Sequence, residues 1–149
     1  MDFKDLLTTK GKIMGIDFGD TRTGLAVSDI SRFLASGIGF IKVGGLSKTA
    51  EECARIAKEQ GVSAFVVGLP ANMNGSEGMR AERVREFATM LEEISSLPTT
   101  FMDERLTTVA ASRFLNETNT RGSKRKGVID TLSAQIILQN ALDKLKYIK

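Results

Sequence analysis

Three short β-like runs open the chain, Lys12 to Phe18, Arg22 to Ser28 and Gly37 to Val43, separated by Gly/Asp/Thr and Ser/Arg clusters that favour turns. They predict an antiparallel meander. From Ser47 the period changes: Ala50, Cys53, Ala54 and Ala57 recur at helical spacing, Thr49 and Glu52 stand at capping-box spacing, and Gly61 offers a stop. Ala64 to Leu69 is a continuous apolar stretch ended by Pro70, too short for a helix, so it reads as a strand covered on both faces. The polar segment 72–78, with Asn74-Gly75, reads as a loop, and Val84, Phe87, Ala88 and Leu91 mark a second helix. Thr99 to Met102 follows as a strand, Ala111, Phe114 and Leu115 as a third helix begun by Thr107 or Thr108, 116–127 as a basic loop, and Val128 to about Lys146 as a last helix. A strand meander followed by strands alternating with helices predicts an α/β fold, a mixed sheet with helices on both faces.

With 149 residues and 42% hydrophobic content, the chain suits one domain, 1–149, and cannot supply two large ones. Cys53 is the only cysteine, so no intrachain disulfide can form, which suits a reducing cytosol. No apolar run approaches the roughly 18 residues of a membrane span, and MDFKDLLTTKGK lacks the apolar core of a signal peptide, so a cytoplasmic protein without membrane partners is expected. The chain has no histidine, which excludes Ser-His-Asp chemistry and imidazole-based metal sites. The net charge of +3 is concentrated in Arg121, Lys124, Arg125 and Lys126; without these four, 17 basic residues face 18 acidic ones. A local basic patch on a nearly neutral body suits a polyanionic partner, although such runs are often only solvated surface. Eight phenylalanines and Tyr147, with no tryptophan, form no interleaved platform for stacking bases.

Three acidic positions stand where a charge is costly. Asp17 interrupts Ile13-Met14-Gly15-Ile16-Asp17-Phe18-Gly19 near the end of a core strand, with glycines at 15, 19 and 24 leaving the backbone open to close approach. Asp103 and Glu104 follow an apolar strand, and alternation allows only one of them the inward face, without saying which. Asp130 lines up with Ala134, Ile137, Ala141 and Leu145, extending the buried stripe of the last helix into its first turn. Singly, each could be a turn residue or a partner for a helix N-terminus. Together, in a chain without histidine, they suggest an oxygen-ligand site for a hard cation, Mg²⁺ or Mn²⁺. Such ions activate water for phosphodiester cleavage, and a neighbouring basic segment would serve a nucleic-acid backbone.

Four stretches carry a family resemblance: Gly15-Ile16-Asp17-Phe18-Gly19 with Arg22, Gly24 and Ala26-Val27-Ser28-Asp29; Val66-Val67-Gly68-Leu69-Pro70 with Asn74-Gly75-Ser76; Asp103-Glu104-Arg105-Leu106-Thr107-Thr108; and Ile129-Asp130 with Ala134, Ile137, Leu138 and Gln139. In this order and spacing the chain resembles the YqgF/RuvX family over nearly its whole length. The resemblance implies an RNase H-like fold with a five-stranded mixed sheet. It also implies a nuclease similar to Holliday-junction resolvases, or one maturing the 5′ end of 16S ribosomal RNA from its precursor. The family's acidic positions match Asp17, Glu104 and Asp130, and its basic arginines match Arg22 and Arg105. Ser133, where the family usually has Ala, and Ala111, where an acid is expected, depart from the pattern.

Cleavage of branched DNA competes with RNA processing, because the fold serves both and no element reads a 2′-hydroxyl. An ATPase of the actin and sugar-kinase superfamily would need two such domains. A non-catalytic RNA-binding assembly protein would need only the basic segment. The expected partner is nucleic acid, either a structured RNA precursor or branched DNA, and the protein partner to consider is a second copy in a homodimer.

Overall fold

A computed structural model of the chain describes residues 2–70, 78–103 and 122–148, with side chains from 128 onward in the last stretch. The elements are a 3₁₀ helix Phe3–Thr8, β1 Lys12–Asp17, β2 Thr23–Ser28, β3 Ala35–Ile41, α1 Leu46–Gln60, β4 Val62–Leu69, α2 Met79–Ser95, β5 Thr99–Asp103 and α3 Gly122–Tyr147. The strands form a five-stranded mixed sheet in the order β3-β2-β1-β4-β5. Neighbours among β1, β2 and β3 run antiparallel, whereas β4 lies parallel to β1 and β5 parallel to β4. This is the meander followed by helical crossovers that the pattern predicts.

Strand alternation divides the apolar residues into two cores. Met14, Ile16, Leu25, Val27, Phe65 and Val67 meet α1 and α2 on one face. Ile13, Ala26, Ala64 and Val66 meet Ala134, Ile137, Leu138, Ala141 and Leu142 of α3 on the other. The apolar run of β4 is therefore covered on both sides, as its continuous hydrophobicity implies. Val84, Phe87, Ala88 and Leu91 are all buried on α2, and Cys53 is fully buried on α1, where desolvation pushes its thiol up to about 12.

Several boundaries differ from the sequence reading. The 3₁₀ helix, too short for a periodic signal, was not anticipated; the buried Leu6 fixes it, and Arg32 staples it by donating to the carbonyls of Leu6 and Gly11 and to Thr9 Oγ1. β3 begins two residues earlier than expected and ends at Ile41. Gln139 of α3 holds its start, accepting from Ala35 N at 2.9 Å and donating to Phe33 O at 3.0 Å. No capping box forms on α1: the helix begins at Leu46, so Thr49 lies inside it and its hydroxyl donates to Gly45 O. Gly61 ends the helix as expected, in the left-handed conformation that glycine adopts without strain.

The largest correction concerns the basic segment. The loop expected over 116–127 gives way at Gly122, where α3 begins, so Lys124, Arg125 and Lys126 are part of the helix that carries Asp130. Of the other expected elements, the loop residues 72–77, the third helix and residues 116–121 lie outside the described residues.

Ser133 is buried, and its Oγ finds no hydrogen-bond partner among the described residues. An unsatisfied buried hydroxyl carries a desolvation cost with no compensating bond. Ser133→Ala should therefore raise stability by about 1 kcal/mol, or roughly 2–4 °C in thermal midpoint for a chain of this size. A lower melting temperature would show that the hydroxyl is satisfied in solution.

Candidate active site

Asp17 closes β1 between two anchored neighbours. Ile16 is fully buried in the α1/α2 core, and Phe18 stacks on Phe87 of α2 with ring centroids 4.4 Å apart. Because successive side chains alternate, these anchors turn Asp17 to the opposite face, the one covered by α3. It is half-buried there and engaged with its surroundings.

Glycines bring α3 onto that face. A Cβ on Gly15 would lie 2.6 Å from Leu138 Cβ, one on Gly37 2.6 Å from Thr131 Cγ2, and one on Gly24 only 1.8 Å from the backbone oxygen of Asp130. Three adjacent strands thus present bare backbone to one helix, and the helix descends into the space. Gly24 is also the Cα partner of Asp17 in the β1–β2 ladder. The contact that seats Asp130 on β2 therefore sets it beside the strand end that carries Asp17. The structure brings these two predicted acids to the same end of the same sheet face.

Arg22 joins them. Its Nε donates to Asp130 Oδ2 at 2.7 Å across 108 residues of sequence, with side chains 30% and 20% exposed. The arginine is delivered by a tight turn between β1 and β2. A Cβ on Gly19 would meet Arg22 O at 2.3 Å, and the Thr23 hydroxyl bridges back to Gly19, accepting from its N–H at 3.3 Å. On the outer side of this turn Asp20 pairs with Arg83 of α2.

Asp103 does not belong with this group. It pairs with Leu69, two residues beyond Phe101, which packs into the α1/α2 core, whereas Met102 packs into the α3 core. Asp103 therefore has the parity of the face opposite Asp17. Glu104, Arg105 and Arg121 lie outside the described residues, and Lys124, Arg125 and Lys126 are placed by backbone alone, in the first two turns of α3. Among the described residues no group of three potential metal-ligating side chains occurs, consistent with a set of which two members are described. Two features went unread in the sequence: the Arg22–Asp130 pair, which no local spacing announces, and Gly37, the outermost of the three seating glycines. The glycine spacing 15, 24 and 37 could have pointed to a close helix approach only once the strand register was known.

Asp29, the acid that ends the first of the resembling stretches, has a local role. Its Oδ1 accepts from the N–H groups of Phe33 and Leu34 and its other oxygen from Ser31, hydrogen bonds that close the β2–β3 turn and hold its carboxyl below the usual range.

Comparison with known proteins gives this geometry its context. A family model described as RuvX, Holliday junction resolvase, matches residues 11–144. A Clostridioides difficile protein named "Putative pre-16S rRNA nuclease" is 47% identical over 133 residues, covering 89% of this chain and 94% of its own length. A protein of the same name from Paracoccus denitrificans is 42% identical over 146 residues, covering 98% and 92%. Among solved structures, Thermus thermophilus RuvC in complex with a Holliday junction superposes with a TM-score of 0.57 at 12% identity, covering 93% of this chain and 98% of that one. The fowlpox virus resolvase bound to junction DNA gives 0.51 at 11% identity, covering 93% and 99%. These structural likenesses show an RNase H-like fold. A match along almost the whole chain, together with close relatives covered nearly end to end, establishes that this protein belongs to the RuvX family of Holliday junction resolvase-like nucleases.

Proposed function

We propose that the chain is a divalent-metal-dependent endonuclease of one catalytic domain, 1–149, in which Asp17, Glu104 and Asp130 hold Mg²⁺ or Mn²⁺. The observation that supports this reading is the seating of the Asp130 backbone on Gly24, the strand partner of Asp17, which brings two residues distant in sequence to one strand end. The donor set fits a hard cation: these side chains offer oxygen only, the chain has no histidine, and Cys53 is buried on the other face of the sheet. Glu104 is preferred to its neighbour because Asp103 has the parity of that other face.

When bound, such an ion lowers the pKa of a coordinated water and stabilises charge on the leaving oxygen. The chain's own residues supply the rest. Asp17 and Asp130 would hold the ion, and so set where a phosphate could be bound relative to the sheet. Arg22, Arg105, Arg121, Lys124, Arg125 and Lys126 supply positive charge along the path of the flanking backbone.

The relatives' names favour a precursor of 16S ribosomal RNA as substrate, processed in the cytoplasm during ribosome assembly, and the family description favours a four-way DNA junction. Cutting a junction symmetrically takes two active sites and hence a homodimer, whereas one cut in RNA takes a single site. Incubating purified protein with Mg²⁺ or Mn²⁺ on both substrates separates these readings. Binding of either substrate without cleavage, under all metal conditions, would leave a nucleic-acid-binding assembly protein.

The basic segment gives a separate expectation. If positions 124–126 contact phosphates, changing all three to alanine should weaken binding and flatten the dependence of log affinity on log salt by up to about 2 to 3 units, at roughly 0.7 to 0.9 per lost contact. The cleavage rate at saturating substrate should survive. Parallel salt lines with equal affinity would make the segment solvated surface.

A further inference from the structure

The ion pair between Arg22 and Asp130 places a positive charge on one of the three carboxylates that the proposed reaction assigns to a divalent cation. We propose that Arg22 is the resident counter-cation of this acidic site, displaced from Asp130 when a divalent cation binds and thereby freed for a substrate phosphate. The inference rests on the metal reading above and adds the order of events at Asp130.

Three observations carry it. The contact is made through Nε to a single oxygen, Oδ2, so it is not the two-pronged clamp that guanidinium and carboxylate form when they are locked together. Both side chains keep contact with solvent, at 30% and 20% exposed, so a dication can reach the pair from water without any backbone opening. Finally, the backbone on each side is fixed: Gly19 and Thr23 hold the turn that carries Arg22, and Gly24 seats Asp130. Breaking the pair therefore moves one flexible side chain and leaves it at the mouth of the site.

The alternative is that Arg22 orients Asp130 as a metal ligand and stays in place, as outer partners of ligating carboxylates commonly do. The two arrangements predict opposite signs. If Arg22 competes with the cation, Arg22→Gln should bind Mn²⁺ about tenfold more tightly than wild type, the factor expected for removing a unit charge about 6 Å from a dication at water-like dielectric. Arg22→Lys, which keeps the charge, should stay within about threefold of wild type. If Arg22 orients the ligand, Arg22→Gln should bind Mn²⁺ about 10- to 100-fold more weakly.

Calorimetric titration of the full chain with Mn²⁺ alone reads this directly, and Asp130→Asn, which should lose most of the affinity, shows that the measured site is the acidic one. Equal or weaker Mn²⁺ binding by Arg22→Gln overturns the displacement and leaves the metal reading standing. Wild-type protein that binds no Mn²⁺ overturns the metal reading itself. A measurement independent of any variant's folding is the Arg22 Nε–H resonance of wild-type protein under Mg²⁺ titration. It should shift and exchange faster with water as the hydrogen bond to Asp130 breaks, and an unchanged resonance at saturating Mg²⁺ overturns the proposal.

Discussion

Replacing Asp17 by asparagine should lower metal-supported cleavage at least a thousandfold while the circular dichroism spectrum stays that of the wild type. The substitution preserves shape and removes one formal charge from the proposed metal-binding set. Loss of even an outer partner of a metal ligand commonly costs about 10- to 100-fold, and loss of a ligand's charge costs more. The fold should not suffer, because the strand end is anchored by Ile16 and Phe18 on the other face. The substitution removes one of several negative charges gathered at this strand end, so the metal-free variant should melt at the same temperature as wild type or higher. Single-turnover cleavage of precursor RNA and of a four-way junction, with thermal melts alongside, makes the comparison. Undiminished activity would return Asp17 to the role of a turn residue.

Gly24→Ala should have the largest effect on stability. The added Cβ would sit 1.8 Å from Asp130 O and 2.4 Å from its carbonyl carbon, and backbone in the body of a helix cannot step aside as a side-chain tip can. The helix must lift from β2, opening contacts that bury Ala134, Ile137 and Leu138. Overpacking of a core usually costs about 1–3 kcal/mol, and a backbone collision belongs at or above the upper end. A loss of about 3 kcal/mol or more corresponds to a fall of roughly 6–12 °C in melting temperature for a chain of this length. Gly44, around which a Cβ would meet nothing within 4 Å, is the control: Gly44→Ala should be neutral or slightly stabilising. Equal melting temperatures for the two variants would mean that α3 does not rest on β2 in solution. Because the same contact places Asp130 beside the Asp17 strand end, Gly24→Ala should also lose cleavage at temperatures where it remains folded.

Much of this arrangement was legible in the chain because it is written in local periodicity. The meander, the doubly covered β4 and the stripe through Ala134, Ile137, Ala141 and Leu145 follow from which residues are apolar and at what spacing, and the structure buries them accordingly. The carboxylates at 17 and 130 were legible as charges placed at the ends of apolar runs. What could not be read was anything that depends on register between distant elements. The Arg22–Asp130 pair spans 108 positions, and the anchoring of β3 by Gln139 spans 104. The start of α3 was misjudged for a different reason: Gly122 and Gly127 flank a charged run, and a composition that favours a loop was overridden by continuity with the amphipathic helix that follows.

That continuity has a mechanical consequence. Had the basic run been a loop, an inserted or deleted residue between it and Asp130 would have been absorbed by the slack. On one uninterrupted helix of 26 residues there is no slack. One inserted residue between 126 and 130 would advance the basic run by about 1.5 Å and rotate it by about 100° around the helix axis. The direction in which the basic run faces, and with it the proposed approach of a polyanion, is thus phase-locked to the Asp130 backbone that rests on Gly24, and the spacing between them is quantised by the helical repeat.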